Sequence, residues 1–371
     1  MRVQCSREGL LLLAKQVSCA AARPPSPQEL CGIHIQADAA RSILTLTATN
    51  QSISIRASMC VETAECGSVI AAARLLPPIL SRLPDETVTL EQSNGGRLSI
   101  RSGAAAYELD VLPGARYPAL ELPYPEDTTA VTGLRTLVQQ TAIATASQPE
   151  APLMGCVQLV LDQNGLKGRS TNGFCVLEAA GDAACKGQSE LLVPVRSLAV
   201  LASLSRDSDV YEMGLAGKSA VFWNGTLLFS ARLMEGVFPN AAAVLERFQG
   251  RYAVCVQAEA LSATLSTVTA LQEGDKGRIA LDFREHTLVV SAQSACGTSA
   301  LPVETLVLDK PDRVLYYDPC VLLAYLKQLK GGVTLEFDSA GLLAVRHMGT
   351  RYLQCPMRPP KTAEARGKRA A

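Results

Sequence analysis

The segment Gly217-Lys218-Ser219 matches the last three residues of a phosphate-binding loop. A complete loop has a further glycine five residues before Gly217, and that position holds Glu212. The segment also lies within a predicted hairpin, where no helix N-terminus follows to supply backbone amides to a phosphate group. We therefore do not predict phosphoryl transfer at this segment.

Cysteine and histidine side chains bind a metal ion when they are clustered at short spacing. The 12 cysteines are scattered without a CxxC pair, and the 3 histidines are far apart. This pattern is typical of reduced cysteines that serve as small core residues in a cytoplasmic protein. We predict no metal site and no cofactor. The motifs GxSxG, GxGxxG and HExxH are absent as well, which strongly disfavours an enzyme.

The charges of the chain are balanced, with 35 lysines and arginines against 35 aspartates and glutamates. This balance argues against a protein that holds nucleic acid through bulk charge alone. No apolar run is long enough to span a membrane, so we predict no membrane association. A signal peptide is an alternative interpretation of the N-terminal leucine run. Glu8 and Lys15 bracket only six residues, which favours an amphipathic helix instead.

A repeat with a period of 122 residues organises the chain. Thr49-Asn50, Thr171-Asn172 and Gln293-Ser294 follow one another at this spacing. The same step separates Arg74, Arg196 and Asp318, each near the start of an apolar run. Periods of solenoid units are roughly 20 to 50 residues, so a period this long indicates a repeated domain.

Each repeat begins with a helical stripe and continues into hairpins. Apolar residues recur at helical spacing after Leu10, Leu134 and Leu261. Strands are predicted at 32–37, 42–49 and 52–58, and a helix at about 71–83. The second-repeat helix is predicted to end near Ser147. Asn94-Gly95 and Asn224-Gly225 are typical of two-residue hairpin turns.

The fold class that follows is α+β, with three tandem domains that each pack about two helices on antiparallel strands. The predicted boundaries are 1–122, 123–250 and 251–358. Residues 359–371 are rich in proline, alanine and basic side chains, which predicts a disordered basic tail. A weak contact of this tail with nucleic acid stays open.

Four segments carry a resemblance to a known family: KQVSCAAARP, STNGFCVLEA, SARLMEGVFPN and CPMRP. They resemble segments of the bacterial sliding clamp, the beta subunit of DNA polymerase III. The resemblance covers Met1 to Arg358. It implies the DNA-clamp domain fold and a head-to-tail homodimer that closes into a ring, with helices lining a channel around duplex DNA.

The function implied by the resemblance is a non-catalytic processivity factor. Such a ring tethers the DNA polymerase III catalytic subunit, and the clamp loader and other proteins with a clamp-binding motif also bind it. A ring holds DNA by topology, so a near-neutral chain can serve without sequence-specific contacts. The positions that match DNA-facing residues of the family are Arg23, Arg74, Gln148 and Arg196, and ordinary solvated side chains are the alternative.

The family's second site is a pocket for short partner peptides. Carried over by position, it comprises Met154, Thr171, Gly173, Phe174, Cys175, Val176, Pro239, Val244, Leu353 and Cys355, with Met357 nearby. Ordinary core packing is the alternative, above all for Val176 and Val244. Phe174-Cys175 replaces a His-Arg pair of the family, and Ala241 to Ala243 replace bulkier residues. We expect a peptide that is more apolar and depends less on an acidic group.

The ring interface implied by the resemblance involves Tyr107, Leu109 and Leu271. Ala104 and Ala106 stand where arginines are common in the family, and the facing segment AQSACGTSALPVE lacks an acidic run. We expect an apolar interface with little dependence on salt. Two alternatives stay open: a clamp-derived scaffold that no longer encircles DNA, and an unrelated enzyme with a three-domain repeat.

Overall fold

The repeated dipeptides form the same hairpin turn three times. Asn50 and Asn172 each accept, with Oδ1, two hydrogen bonds from the backbone amides two and three residues further on. Ser294 Oγ accepts one from the amide of Cys296. A short polar side chain at this place caps a tight turn by hydrogen-bonding the backbone that follows it. The period of 122 residues therefore reflects a repeated hairpin geometry.

The computed structural model describes residues 1–93, 96–120, 122, 124–146, 150–183, 189–272 and 277–360, without the side chains of 63, 64, 307 and 308. The predicted turn Asn94-Gly95, Gln148 and residues 361–371 of the predicted tail lie outside these ranges. Among the described residues, no helix has the length and apolar character to cross a membrane. No cluster of potential metal ligands was found in them either.

The described part of the first 122 residues forms ten strands and two α-helices. The strands are β1 (Arg2–Ser6), β2 (Gly32–Asp38), β3 (Ile43–Thr49), β4 (Ile53–Cys60), β5 (Glu62–Glu65), β6 (Gly67–Ala72), β7 (Thr87–Ser93), β8 (Arg97–Ser102), β9 (Ala105–Asp110) and β10 (Leu112–Pro113). The helices are α1 (Arg7–Ser18) and α2 (Leu76–Ser81).

Residues 123–250 continue with β11 (Thr128–Thr132), β12 (Cys156–Asp162), β13 (Gly165–Thr171), β14 (Cys175–Ala183), β15 (Ser189–Pro194), β16 (Tyr211–Ala216), β17 (Ser219–Trp223) and β18 (Leu227–Arg232). Their helices are α3 (Leu134–Ala142), α4 (Val195–Leu204) and α5 (Ala241–Arg247).

The remaining strands are β19 (Tyr252–Gln257), β20 (Ile279–Phe283), β21 (Thr287–Ser294), β22 (Gly297–Glu304), β23 (Leu306–Asp309), β24 (Leu315–Tyr317), β25 (Gly332–Phe337), β26 (Leu343–His347) and β27 (Thr350–Gln354). The remaining helices are α6 (Ala258–Val268) and α7 (Pro319–Leu326).

Two compact units form, and each contains one nine-stranded antiparallel sheet and one smaller sheet. The first unit is chiefly residues 1–135 and 196–234. Its strands pair in the order β10–β6–β2–β3–β4–β18–β17–β16–β11. Its five-stranded sheet has the order β5–β1–β7–β8–β9.

The second unit is chiefly residues 136–182 and 235–360. Its large sheet has the order β15–β12–β13–β14–β27–β26–β25–β19–β23. Its small sheet has the order β22–β21–β20–β24. Pairing of β18 with β4 and of β14 with β27 joins the second repeat to both others, so the border between units falls inside that repeat. The division into three domains stays a prediction.

Several local predictions are confirmed. Ser6 Oγ accepts a hydrogen bond from Gly9 N at 3.3 Å and caps α1. The helical stripes are buried, including Leu10, Leu134 and Leu261. The three strands predicted within 32–58 correspond to β2, β3 and β4.

Other local predictions are wrong in their boundaries. The helix expected at 71–83 spans only Leu76–Ser81, because Ala71 and Ala72 belong to β6 and a turn at 73–75 precedes the helix. Its two prolines lie in the first turn, where a missing N–H costs no intrahelical bond. The helix α3 ends at Ala142 rather than near Ser147. The two-residue turn is Gly225-Thr226, because Asn224 N donates to Leu227 O at 3.2 Å.

The cysteines are mostly not core residues, which corrects the expectation from the sequence. Of the eleven cysteines that the structure describes, only three are buried. Six are exposed: Cys19, Cys60, Cys66, Cys296, Cys320 and Cys355.

Gly168 sets how closely α3 packs on the second nine-stranded sheet. A Cβ atom on Gly168 would lie 2.7 Å from Leu137 Cδ2 and 3.0 Å from Thr141 Cγ2. Ser170 Oγ donates to Thr141 O at 2.6 Å and fixes the same contact.

We expect Gly168→Val to lower the free energy of unfolding by about 1–3 kcal/mol, because the added methyl groups overpack this contact. Gly332→Val is the matched control, since the nearest atom to a Cβ there is Gln257 Nε2 at 3.9 Å. Thermal denaturation of both variants checks the prediction. Equal melting temperatures for the two would contradict it.

Candidate functional site

The turn between β13 and β14 carries the most exposed of the predicted pocket residues. Phe174 is 73% exposed at the tip of this turn. Gly173 precedes it with φ +87°, a conformation that favours glycine. Met154 lies below the turn, where its Sδ would be 3.8 Å from a Cβ atom on Gly173. The phenyl group of Phe174 is therefore exposed to solvent, next to the turn residue that lies over Met154.

The residues on both sides of the tip, and their neighbour on β27, are buried beneath it. Thr171, Cys175, Val176 and Leu353 are buried, and Val176 pairs with Leu353 across β14 and β27. Cys355, which is exposed, donates its backbone N–H to Phe174 O at 2.9 Å. For Val176 the structure agrees with the alternative of core packing. These side chains hold the tip in place.

The helix α5 supplies a further apolar surface. Asn240 Oδ1 accepts from Ala243 N at 3.0 Å and caps the helix, so the helix begins directly after Pro239. Val244 is 43% exposed on α5 and is therefore not a core residue. The loop before the helix contacts the Met154 segment, because a Cβ on Gly236 would lie 2.8 Å from Leu153 Cδ1.

Two features of this region differ from the sequence interpretation. Val237 is 91% exposed in the same loop and was not among the predicted residues, although it lies within the quoted segment SARLMEGVFPN. Met357 lines a separate cavity of about 400 Å³ together with Leu271 and Cys296. Its backbone N–H donates to Tyr316 O at 2.6 Å. We call the predicted pocket residues Met154, Phe174, Pro239 and Val244, none of which is buried, the Phe174 groove.

The four residues that define the Phe174 groove carry no charge. Burial raises the pKa of the Cys175 thiol to about 12, so the group is a neutral thiol near pH 7. Its Sγ lies 3.1 Å from Asn172 Oδ1, to which it donates. With no cation among its residues, the groove suits aliphatic and aromatic anchors rather than an acidic group.

Two of the predicted DNA-facing residues share one cavity. Arg23 and Arg74 are both exposed and line a cavity of about 680 Å³ beside the end of α1 and the segment before α2. Arg196 is exposed in the first turn of α4. All three lie in the first unit, whereas Gln148 is outside the described residues.

The residues predicted for the ring interface lie on or beside two free sheet edges. In the described part of the chain, β9 pairs only with β8 and β22 only with β21. Tyr107 and Leu109 are half-buried on β9, and Leu271 is 42% exposed. The edges also carry acidic groups, because Glu108 and Glu304 are exposed on β9 and β22.

Comparison with known proteins gives a consistent result. Residues 1–121 match the family model described as DNA polymerase III beta subunit, N-terminal domain. The chain is 27% identical over 357 residues to the beta sliding clamp of Streptomyces coelicolor, covering 92% of each chain. It is 26% identical over 321 residues to that of Synechococcus elongatus, covering 82% of this chain and 85% of the relative.

The chain is therefore similar to bacterial beta sliding clamps over 92% of its length, and its first 121 residues match the N-terminal domain of that family. The fold agrees with the family, because the solved DNA polymerase III subunit beta from Pseudomonas aeruginosa superposes with a TM-score of 0.89 at 21% identity. That alignment covers 97% of this chain and 100% of the other. The α+β prediction with antiparallel sheets is thereby confirmed.

We expect Cys175 to resist alkylation by iodoacetamide at pH 8, because a buried thiol with a pKa of about 12 provides almost no thiolate. Cys60 and Cys296 are exposed and serve as internal controls that react. Mass spectrometry of the folded and the guanidinium-unfolded protein measures each site. Modification of Cys175 as fast as of Cys60 in the folded protein would show that the groove opens to its base.

Proposed function

We propose that the chain is a DNA sliding clamp, which encircles duplex DNA as a head-to-tail homodimer and tethers partner proteins through the Phe174 groove. The observation that carries this proposal is the strand count. The small sheets have five and four strands in the described chain, and β9 and β22 are each one of the two edge strands of their sheet. Joining β9 of one protomer to β22 of the next gives nine strands, as in both large sheets.

Backbone geometry makes the two edges suitable partners. Ser102 pairs with Ala105 and Ser294 with Gly297 across two-residue turns. Such closing pairs are hydrogen-bonded, so by alternation Ala106 and Glu108 direct their backbone N–H and C=O groups to the free edge of β9. On β22 the same alternation directs the nitrogen of Pro302 outward, as expected for proline in an edge strand.

A heterologous contact of this kind closes a ring only if the rotations of the subunits complete a circle. A closed ring retains DNA by topology, so few phosphate contacts are needed and the net charge of zero is no obstacle. Arg23, Arg74 and Arg196 are the proposed phosphate contacts. They carry no sequence information, because phosphates are the same in every sequence.

The edge contact is tested by Glu108→Pro, which removes an outward N–H without removing a hydrogen bond inside the five-stranded sheet. Glu108→Ala is the matched control, because it removes the carboxylate but keeps the N–H. We expect a monomer for the proline variant and a dimer for the alanine variant in light scattering. Only the dimer should stay on circular DNA and leave linear DNA from its ends.

A Glu108→Pro variant that stays dimeric with an unchanged melting temperature would contradict the edge contact. A wild-type monomer that binds circular and linear DNA equally would support a scaffold that does not encircle DNA.

For the Phe174 groove we propose short partner peptides with aliphatic and aromatic anchors. The proposed partners are the DNA polymerase III catalytic subunit, the clamp loader and other proteins with such a motif, and the clamp itself is a non-catalytic cytoplasmic subunit. Burial of two anchors contributes roughly 3 to 6 kcal/mol. Association costs at least about 4 kcal/mol, so weak and exchangeable binding results.

We expect Phe174→Ala to weaken the binding of a peptide with leucine and phenylalanine anchors by about 10- to 100-fold, since the ring contributes about 1.5–3 kcal/mol when buried. Met348→Ala is the control, because Met348 is equally apolar and 91% exposed but lies at the β26–β27 turn. Fluorescence anisotropy of the labelled peptide measures both. Equal affinities would place the peptide elsewhere.

A further inference from the structure

The two nine-stranded sheets carry a corresponding row of side chains across five strands. In the second unit the row runs from β12 through β13, β14 and β27 to β26, in the order Gln158, Arg169, Glu178, Arg351 and Arg346. Directly opposite residues share one face of a sheet, so these side chains are neighbours.

In the second unit, charged and polar side chains of the row have partners within the same unit. Glu178, whose side chain is 9% exposed, lies between Arg169 Nε at 2.7 Å and Arg351 Nη1 at 3.5 Å. Gln158 Nε2 donates to Glu190 Oε1 at 2.5 Å. Buried charges in proteins are normally paired in this way, because an isolated one loses its hydration without compensation.

In the first unit the same strand positions carry different residues. The row through β2, β3, β4, β18 and β17 contains His34, Thr47, Arg56, Leu228 and Trp223. Arg56 thus occupies the position of Glu178, while the two flanking arginines are replaced by a threonine and a leucine.

Arg56 has no partner within the chain as described. Its side chain is half-buried, and no ion pair or hydrogen bond joins its guanidinium to a described residue. The nearby acid Asp38 is engaged in an exposed pair with Arg41 at 3.9 Å. A guanidinium offers five N–H donors in a planar fork, which matches a carboxylate or phosphate group.

Aromatic rings stand on both sides of Arg56. His34 stacks on Tyr117 with ring centroids 5.0 Å apart and planes 8° apart. At the other end, Tyr124 meets the edge of Trp223 with centroids 5.3 Å apart. Burial lowers the pKa of His34, so its ring is neutral near pH 7 and adds a stacking surface rather than a charge.

The rings border an open cavity of about 690 Å³ that is lined by all five residues of the row. Its floor also carries the hydroxyls of Thr45 and Ser58, whose oxygens are 3.0 Å apart. The volume lies within the range of roughly 300–1,000 Å³ found for pockets that bind small molecules.

We propose that this cavity binds a nucleotide, with its phosphate on Arg56 and its base against one of the two aromatic pairs. An acidic peptide would use only the charge of Arg56 and would leave the aromatic rings without a role. A nucleotide would use both, because a planar base stacks on any aromatic face. The nucleotide is either free or one unit of a single strand. The site is independent of the Phe174 groove and of the sheet edges.

Trp223 is the only tryptophan of the chain and reports on the cavity directly. The test is a titration of the full chain with thymidine monophosphate, thymidine, a short oligothymidylate and inorganic phosphate, followed by intrinsic fluorescence. Saturable quenching by the nucleotide is expected. Thymidine should bind about tenfold or more weakly, because it lacks the charge-assisted contact with Arg56.

Arg56→Ser should weaken nucleotide binding by about tenfold or more, and Arg56→Lys should restore part of it, because lysine keeps the charge without the planar fork. The control is Arg284→Ser, which removes an arginine from an exposed pair with Asp282 in the second unit. Its affinity should equal that of the wild type. Melting temperatures show that each variant is folded.

The source of the nucleotide follows from the comparison of the two thymidylates. Saturation by the mononucleotide identifies a free nucleotide, and saturation by the oligothymidylate alone identifies a single strand. The proposal is overturned if neither quenches, if Arg56→Ser leaves both affinities unchanged, or if inorganic phosphate binds as tightly as the nucleotide. Binding of an acidic peptide in place of nucleotides would also overturn it.

Discussion

Unpaired backbone groups at the edges of β-sheets are the constraint on which the organisation of this protein depends. An edge strand exposes a row of N–H and C=O groups that pair with any suitable strand, and soluble proteins protect such edges or use them for assembly. Here β4 is completed by β18 and β14 by β27, so sheets extend from one repeat into the next. Among the edge strands of the small sheets in the described chain, β9 and β22 are the two that carry the residues predicted for the ring interface or lie beside them.

Completion of the sheets also explains how a chain without excess positive charge can work on DNA. If the backbone holds the ring together, phosphate contacts do not have to supply the affinity. On α6, the exposed residues Ala260, Ala263 and Ser266 are small and uncharged, and Glu259 is the exposed charged residue of its first turn. Under the proposed function, few phosphate contacts allow the ring to slide, and the Phe174 groove provides the contacts with partner proteins.

The sequence predicts those features that depend on neighbouring residues. The turns at Asn50 and Asn172 are local, because the side chain bonds amides two and three residues away. Pairing between repeats is not local, and no pattern around Val176 shows that it lies opposite Leu353. The resemblance supplied the groove residues by position, but only the structure separates exposed Phe174 from buried Cys175. Arg56 was not predicted for the same reason, because the side chains around its guanidinium come from strands that are far away in the sequence.

Amide hydrogen exchange along β9 and β22 measures the central claim most directly. If these edges pair between protomers, the amides of Ala106, Glu108 and Thr298 will exchange slowly in concentrated protein. Dilution below the dimer dissociation constant should make them exchange rapidly, while amides inside the nine-stranded sheets stay protected. Rapid exchange of these edge amides at every concentration, in protein that is otherwise folded, would contradict a ring closed by sheet pairing.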